Sequence, residues 1–532
     1  MMSKCKSEIC KLLLRESFGE VAEEVAFVLL SKGACPLRQI STETCLHIDK
    51  VRKVLVVLIQ QNIVKFEKSK RGFTEYFVDV EHLLWRHRIP RYIHCAKTLY
   101  GDAAELVVED LVHHGQLMMS SVVHTVTNKL NEALEHAGHQ KIGSRVVYDK
   151  FNLLAGTHFI QQCLNQMETT GDEEDLDERD LSSLYKVPAF NAKDGDRKRK
   201  RSTDESEPPS KRQKMSADND TVSDDGIYWK INHRRFHQYF RDQLFIKAIH
   251  NKIGKKAADI LQTMLRLTEV KSDDICFTSN PLSFTEIFQA VPRDLGITRN
   301  LCEQYLSLMT DDSMELVSKV GESGGGMFVI NIMKGLTALC KSHLESVVQE
   351  RFGSKSLRIF RVLLLKQHLE QKQIEDLAMI PSKEAKELLY TMFAQNFVAV
   401  TEISKTPDHA PARTYYLFKV QLDQLARMLL ENSYKALSNA IRKRIAETKE
   451  NRRLMEKQER VDAILASLEQ SGADDVQKEE ILLTITPSER SQLQKVKHMI
   501  NMLDQSELQL DETIFVLETY IFYHDQKMKY RH

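Results

Sequence analysis

The chain has 532 residues, with 75 Lys and Arg against 75 Asp and Glu and 42% hydrophobic residues, a composition that excludes a fibre or a wholly disordered chain and leaves room for about three to five domains. Its longest apolar run, residues 54–59, is six residues long against the roughly 18–20 that a membrane-spanning helix needs, and the N-terminus has no apolar signal segment, so a soluble intracellular protein is expected. Nine cysteines, an odd number without a C-x-x-C pair, point to reduced thiols rather than a disulfide scaffold or zinc ribbon, and formal neutrality argues against a free-standing, strongly electrostatic nucleic-acid binder.

Residues 6–14 and 21–30 carry the apolar spacing of helices, broken at Phe18-Gly19 and stopped at Gly33. A shorter helical stretch, 36–42, follows. Val51, Val54, Leu55, Leu58 and Ile59 then fall at i, i+3, i+4, i+7 and i+8, which lays one apolar stripe on a helix whose other faces carry Lys50, Arg52 and Lys53. After Asn62 come a strand over 63–66, a basic turn ending in Gly72, and a second strand over 73–80 rich in aromatic and β-branched residues. Three helices and a β-hairpin make a winged helix.

The pattern recurs. Helices over 103–113, 119–130 and 144–154 lead to a strand over 158–161, and "GIYWKIN" at 226–232 reads as the returning strand. Between them, residues 166–225 lose aliphatic periodicity. Their first part holds seven Asp and Glu within 171–180, and their second holds "RKRKR" at 197–201 and "KRQK" at 211–214. This reads as a disordered insert inside an enlarged wing, with Arg197, Lys198, Arg199, Lys200, Arg201, Lys211, Arg212 and Lys214 as candidate nuclear-import residues. A third copy runs through 257–268, 283–290 and 298–309 to strands over 315–320 and 327–332, and a fourth through 357–366, 373–379 and 383–394 to strands over 397–402 and 414–420. "QNIV" at Gln61 and "QNFV" at Gln395 mark matching helix-to-strand junctions.

From about 421 to 470 there is no Pro or Gly, and the segment reads as one long helix. After the breaks at Ser471-Gly472 and Thr486-Pro487, a second helix carries Leu493, Val496, Ile500, Leu503, Leu510, Ile514, Leu517 and Ile521 at spacings of three and four. The two form an antiparallel hairpin whose stripes are expected to seek a partner. Residues 441–460 hold eight Lys and Arg against four Asp and Glu, a solvated coiled-coil face or an acidic-partner surface. The expected division is 1–90, 91–165 with 226–235, 236–345 and 346–420 for the winged helices, 166–225 for the insert, and 421–532 for the hairpin.

Catalytic patterns fail on context. Gly321 to Gly325 fit G-x-S-x-G, but that motif needs a helix after the serine, and a strand is expected there. No phosphate-binding Gly-Lys-Ser/Thr sequence follows. His233 and His237 stand four apart without a third ligand at a matching position. No enzyme active site, cofactor or metal is expected. Recognition remains: in a helix-turn-helix the third helix and the wing meet nucleic acid. The candidate DNA contacts are Lys50, Lys53, Lys68, Lys70 and Arg71 in the first copy, Arg145 and Lys150 in the second, and Lys405 and Arg413 in the fourth.

Several strings are more specific. "DDGIYW" at 224–229, "RFHQYFRDQ" at 235–243, "SGGGM" at 323–327, "SVVQERFGS" at 346–354, "QIEDLAMIP" at 373–381, "KTPDHAPARTYYL" at 405–417 and "DETIFVLETYI" at 511–521 closely resemble the third-largest, winged-helix subunit of eukaryotic DNA-directed RNA polymerase III. The resemblance spans essentially the whole chain outside the insert. It implies a mainly α fold with small β-hairpin wings: four tandem extended winged-helix domains followed by a C-terminal antiparallel helical hairpin or coiled coil. It also implies a nuclear, non-catalytic subunit that forms a heterotrimer with a smaller winged-helix subunit and an acidic-tailed subunit. This subcomplex docks on the clamp of the largest subunit and serves promoter-directed initiation on tRNA, 5S rRNA and other small RNA genes, and the polymerase has been linked to cytosolic DNA sensing. Promoter DNA is then a partner, and no membrane or small-molecule substrate is implied. The alternatives are a free-standing winged-helix transcription factor, for which the mixed third helices are poorly suited, and a nuclear scaffold subunit.

Overall fold

A glycine between two helices opens each of four repeats in the computed structural model, which describes residues 3–69, 72–136, 138, 140–163, 184–188, 226–269, 276–404, 414–471, 481 and 483–530. Gly19 (φ 86°, ψ 179°), Gly101 (φ 89°, ψ −176°), Gly254 (φ 132°, ψ 175°) and Gly353 (φ 83°, ψ 177°) occupy backbone space that a Cβ essentially closes. Each turns a leading helix into the first helix of a three-helix core. The leading helices are Lys4–Phe18 (α1), Ile89–Tyr100 (α6), His233–Lys252 (α10) and the first part of Ile332–Lys366 (α14), which kinks at Gly353. The first core helices are Glu20–Lys32 (α2), Asp102–His114 (α7), Lys255–Thr268 (α11) and the rest of α14. The second are Leu37–Thr44 (α3), Met119–His136 (α8), Phe284–Ala290 (α12) and Gln371–Ala378 (α15). The third are Ile48–Gln60 (α4), Ser144–Gly156 (α9), Arg299–Thr310 (α13) and Ser382–Ala394 (α16).

A second backbone mark follows each third helix. Asn62 (φ 57°), His158 (φ 66°), Glu315 (φ 51°) and Asn396 (φ 60°) are left-handed; at Asn62, His158 and Asn396 this conformation ends the helix and swings the chain into the wing, while Glu315 does so from a turn that follows its helix. In three of the four, the next N–H reaches back to the helix: Ile63 to Leu58, Phe159 to Leu154 and Phe397 to Met392, each 2.9 Å.

The wings are antiparallel. Val64–Lys68 (β2) pairs with Thr74–Val78 (β3), Ile160–Gln162 (β5) with Tyr228–Ile231 (β6), Val317–Gly321 (β8) with Met327–Ile330 (β9), and Ala399–Ser404 (β10) with Thr414–Lys419 (β11). The register Ile160↔Ile231 and Gln162↔Trp229 closes the second wing across the insert, as expected. Each of the first three sheets gains a two-residue strand before its second helix: Cys35–Pro36 (β1), Leu117–Met118 (β4) and Leu282–Ser283 (β7), giving the orders β1-β3-β2, β4-β6-β5 and β7-β9-β8. The fourth has a single bridge, Leu369↔Phe418, in its place. Two residues are too few for alternation to show, so the sequence reading omits these strands. It also omits Val80–Trp85 (α5) and α6.

Two compact units result, Leu13–Gln243 and Leu244–His532 with Met1–Leu12. In the first, Val25, Leu29, Ile40, Val51, Leu55 and Leu58 fill one core, and Val107, Val122, Phe151, Trp229 and Phe236 another. The repeats within this unit touch closely: a Cβ on Gly115 would lie 2.2 Å from the Gln60 carbonyl oxygen. In the second unit, Phe245, Ile260, Met264, Leu306 and Ile330 pack the third repeat, and Leu344, Val348, Phe360, Leu389 and Phe418 pack the fourth.

Three expectations are corrected here. The long C-terminal helix breaks at Asn451 into Leu422–Glu450 (α17) and Arg452–Ser471 (α18), although no Gly or Pro is present. Pro487–Lys529 (α19) runs antiparallel to them, and its partners fall in reverse order: Arg427 with Asp525, Tyr434 with Glu518, Arg444 with Glu507, Asn451 with Gln492 and Lys457 with Glu489. The stripe on α19 is covered within the chain more than expected, since all eight of its named residues are buried or half-buried. Leu517 and Tyr520 join Leu425, Ala426 and Leu429 in the core of the fourth repeat. Finally, residues 184–188 within the insert are packed rather than structureless. Averaging charge over sixty residues hides this short apolar segment.

Candidate nucleic-acid interface

The first winged helix builds the clearest surface. On α4, Val51, Leu55 and Leu58 point into the core, and the 100° step between residues then turns Lys50 and Lys53 to solvent. His47 caps the helix by accepting from the Asp49 N–H. Lys68 ends β2 opposite Thr74, exposed on the wing. The wing's base is anchored by Asp79, which accepts from the Glu81 and His82 N–H groups to cap α5 and pairs with Lys65 at 3.1 Å. Burial pulls the Asp79 carboxyl upward, but His82 and Lys65 outweigh it and hold the group well below the usual carboxylate range.

Among the described residues, Lys50, Lys53 and Lys68 have no ion-pair partner, whereas Arg52 is paired with Asp49 at 3.4 Å. Arg145 is exposed at the start of α9 and Lys150 is half-buried on the same helix. Lys70, Arg71, Lys405 and Arg413, and the import candidates from Arg197 to Lys214, lie outside the described residues. Counting charges misses the apolar side chains on this face: Val56 (62% exposed) and Val57 (45%) on α4, and Phe66 and Phe73 (65%) on the wing. A run of six apolar residues on a helix with a three-residue inward stripe is the signal that some must face outward.

The C-terminal basic stretch has the opposite character. Arg442 meets Glu8, Lys443 meets Glu447, Arg444 meets Glu507, Arg452 and Arg460 meet Glu456, and Lys457 meets Glu489. Here the charge is largely neutralised within the fold, as on a solvated helical-hairpin face.

The remaining candidates resolve into structure. His237 is half-buried, with Nε2 2.7 Å from the Tyr92 hydroxyl. His233 lies among His82, Trp85 and Tyr92, with ring centroids 5.4 to 5.5 Å away. Burial first, then the neighbouring His82 and Lys230, pushes the His233 imidazole down to about 3, and burial holds His237 well below its ordinary range. Ligand atoms of Asp423, His524 and Asp525 lie within 4.8 Å of one another, but the Arg427 guanidinium already bonds both carboxylates. In the G-x-S-x-G stretch, Gly324, Gly325 and Gly326 have φ of 63°, 87° and 115°. They turn β8 into β9, so Ser323 opens a single 3-10 turn within the wing and is followed by a strand and not by an α-helix. No helix among the described residues is long and apolar enough to cross a membrane.

Family models match along the chain: an RNA polymerase III subunit RPC82 helix-turn-helix domain at residues 8–69, RNA polymerase III subunit RPC82 at 149–339, a POLR3C C-terminal winged-helix domain at 344–420, and an RPC3 helical hairpin domain at 453–516. The chain is similar to DNA-directed RNA polymerase III subunit RPC3 of Homo sapiens, 45% identical over 98% of this chain and 99% of that protein. It is 46% identical to the Bos taurus protein of the same name and 44% identical to that of Danio rerio, each over the same shares.

Proposed function

Because the chain belongs to the RNA polymerase III subunit RPC3 family, we propose that it acts as a non-catalytic initiation subunit that holds promoter DNA through its first winged helix. It is an accessory subunit of the polymerase, and its partners are among the other subunits of that nuclear transcription machinery. The finer reading is a heterotrimer with a smaller winged-helix subunit and an acidic-tailed subunit. It docks on the largest-subunit clamp and favours opened DNA at tRNA, 5S rRNA and other small RNA genes. A part for the whole polymerase in cytosolic DNA sensing and nuclear import through the basic pair of the insert belong to the same reading, as do the domain limits given above.

The observation that carries the DNA reading is the contrast between two basic regions. Lys50, Lys53 and Lys68 are exposed without carboxylate partners among the described residues, while the C-terminal cations are paired. Phosphate affinity comes from cations whose binding releases counterions from the nucleic acid, and a cation already bound to a carboxylate releases few. Arg145 adds a second exposed cation site on the third helix of the next repeat.

The triple variant Lys50→Glu, Lys53→Glu, Lys68→Glu tests this in reconstituted polymerase. Subunit assembly is expected to persist while open-complex formation slows about tenfold. The salt slope of DNA binding should fall by roughly one for each phosphate that these lysines no longer neutralise. Open complexes at the wild-type rate with an unchanged slope would remove this face from the DNA path.

A further inference from the structure

Within the insertion, residues 184–188 (Leu-Tyr-Lys-Val-Pro) lie against the second wing. From their geometry we infer that the outer side of this wing is a docking site for an extended, tyrosine-centred segment, occupied in cis as a latch on an otherwise open sheet edge.

The sheet order β4-β6-β5 leaves β5 at the edge. Along β5 and its flanks the backbone groups alternate. The Asn232 N–H donates to the Phe159 carbonyl and the Cys163 N–H to the Tyr228 carbonyl at 2.8 Å, both within the β5–β6 ladder. The Gln162 N–H therefore points outward, and there it donates to the Leu184 carbonyl at 3.0 Å. The Gln162 side-chain amide donates to the Lys186 carbonyl at 2.8 Å. The Tyr185 ring stacks on His158 with centroids 3.7 Å apart and 15° between planes. The Asn232 amide donates to the Tyr185 hydroxyl at 3.4 Å, and the Tyr148 hydroxyl to the Pro188 carbonyl at 3.1 Å. The site thus draws on α9, the left-handed junction, β5 and the start of α10.

Two features make it a latch and not a buried strand. None of the five residues is fully buried, so the segment rests on the wing without entering the core. In sequence it is bracketed by the acidic run at 172–180 and the basic cluster at 197–201, compositions that do not by themselves drive packing. Exposed edge strands accept added strands from other chains, and covering the edge prevents this. The latch performs that role, and its release presents the edge, His158 and Asn232 to another extended segment of like chemistry. The inference does not depend on the DNA reading.

Hydrogen exchange on the full chain tests it, comparing wild type with Tyr185→Ala. The Gln162 amide is expected to exchange at least tenfold faster in the variant, while the Cys163 amide, bonded within the wing, stays protected. A second arm replaces residues 184–188 with a Gly-Ser stretch and adds a labelled peptide copying residues 182–190. Saturable binding to this variant is expected, at least tenfold weaker to wild type and at least tenfold weaker for a peptide with Ala at the tyrosine. Equal Gln162 exchange in wild type and variant overturns the latch. Where the whole wing loosens, the peptide arm decides, and absence of saturable binding overturns the proposal.

Discussion

His233 and His237 sit four residues apart on α10 and share a buried aromatic pocket, where an imidazolium would be stranded. Their spacing in the sequence could place two imidazoles on one metal, but no third ligand stands at a matching position. The fold supplies Trp85 and Tyr92 around them instead, from α5 and α6, which α10 meets only after folding. Their acid response follows from linkage. Above the unfolded histidine value of about 6.5, neither state binds the extra proton and stability is level. Below it, the unfolded chain takes up protons that the folded chain refuses until about pH 3 at His233. Stability of the first unit should therefore fall on acidification by up to about 1.4 kcal/mol per pH unit for each such histidine. His233→Phe should flatten the slope between pH 6 and 4 by about one proton, read by urea unfolding with Trp85 and Trp229 as probes. The string "RFHQYFRDQ" also holds two structural arginines. Arg241 bonds Asp242 at 2.8 Å with both buried, and Arg235 bonds the Thr157 carbonyl over the Phe159 ring. Arg241→Ala removes the hydrogen-bonded partner of a buried carboxylate, leaving it the Arg235 charge, and is expected to cost about 3–5 kcal/mol, against a small effect for Arg52→Ala at the exposed Asp49 pair, in the same unfolding measurement.

At the level of elements, what repeats is backbone conformation more than side-chain identity. Phe18-Gly19, Tyr100-Gly101, Ile253-Gly254 and Phe352-Gly353 share one dihedral solution, and a Cβ there meets local backbone strain of about 1–3 kcal/mol. Gly101→Ala and Gly353→Ala should each lower stability by that amount without changing the buried core, which thermal or chemical unfolding would show. The hairpin's second helix depends on a cap: the Thr486 hydroxyl accepts from the Glu489 N–H at 3.3 Å, and the Glu489 carboxylate accepts from the Thr486 N–H at 2.9 Å. Thr486→Ala is expected to cost about 1 kcal/mol and to speed hydrogen exchange in the first turn of α19, with exchange near Leu517 unchanged. Thr486-Pro487 is readable in the sequence as a break because the same pair both ends one segment and starts the next. Third helices and wings were readable because aliphatic residues recur with period 3.6 and then 2. Helix α6 was not, because its buried positions are Tyr92, Cys95 and Ala96, which carry little aliphatic signal.

For the molecule as a whole, net charge near zero conceals an uneven distribution. Affinity purification of the tagged chain from nuclear extract should recover other RNA polymerase III subunits and promoter-dependent activity, and recovery of unrelated proteins alone would contradict the partner reading. Length, hydropathy and periodicity by themselves determined the mainly helical class, four helix-and-wing repeats, an antiparallel C-terminal hairpin and, through matched strings, the family. These are properties of contiguous segments, where neighbouring residues set the period and the turn. Which cations remain available was decided only by tertiary structure, since Arg442 meets Glu8 and Arg444 meets Glu507 across long stretches of chain that no local pattern connects. The same holds for the break at Asn451, where Gln492 bonds its side chain, and for the docking of residues 184–188 on the second wing. Pairing between distant segments is fixed by packing geometry, and composition carries no record of it.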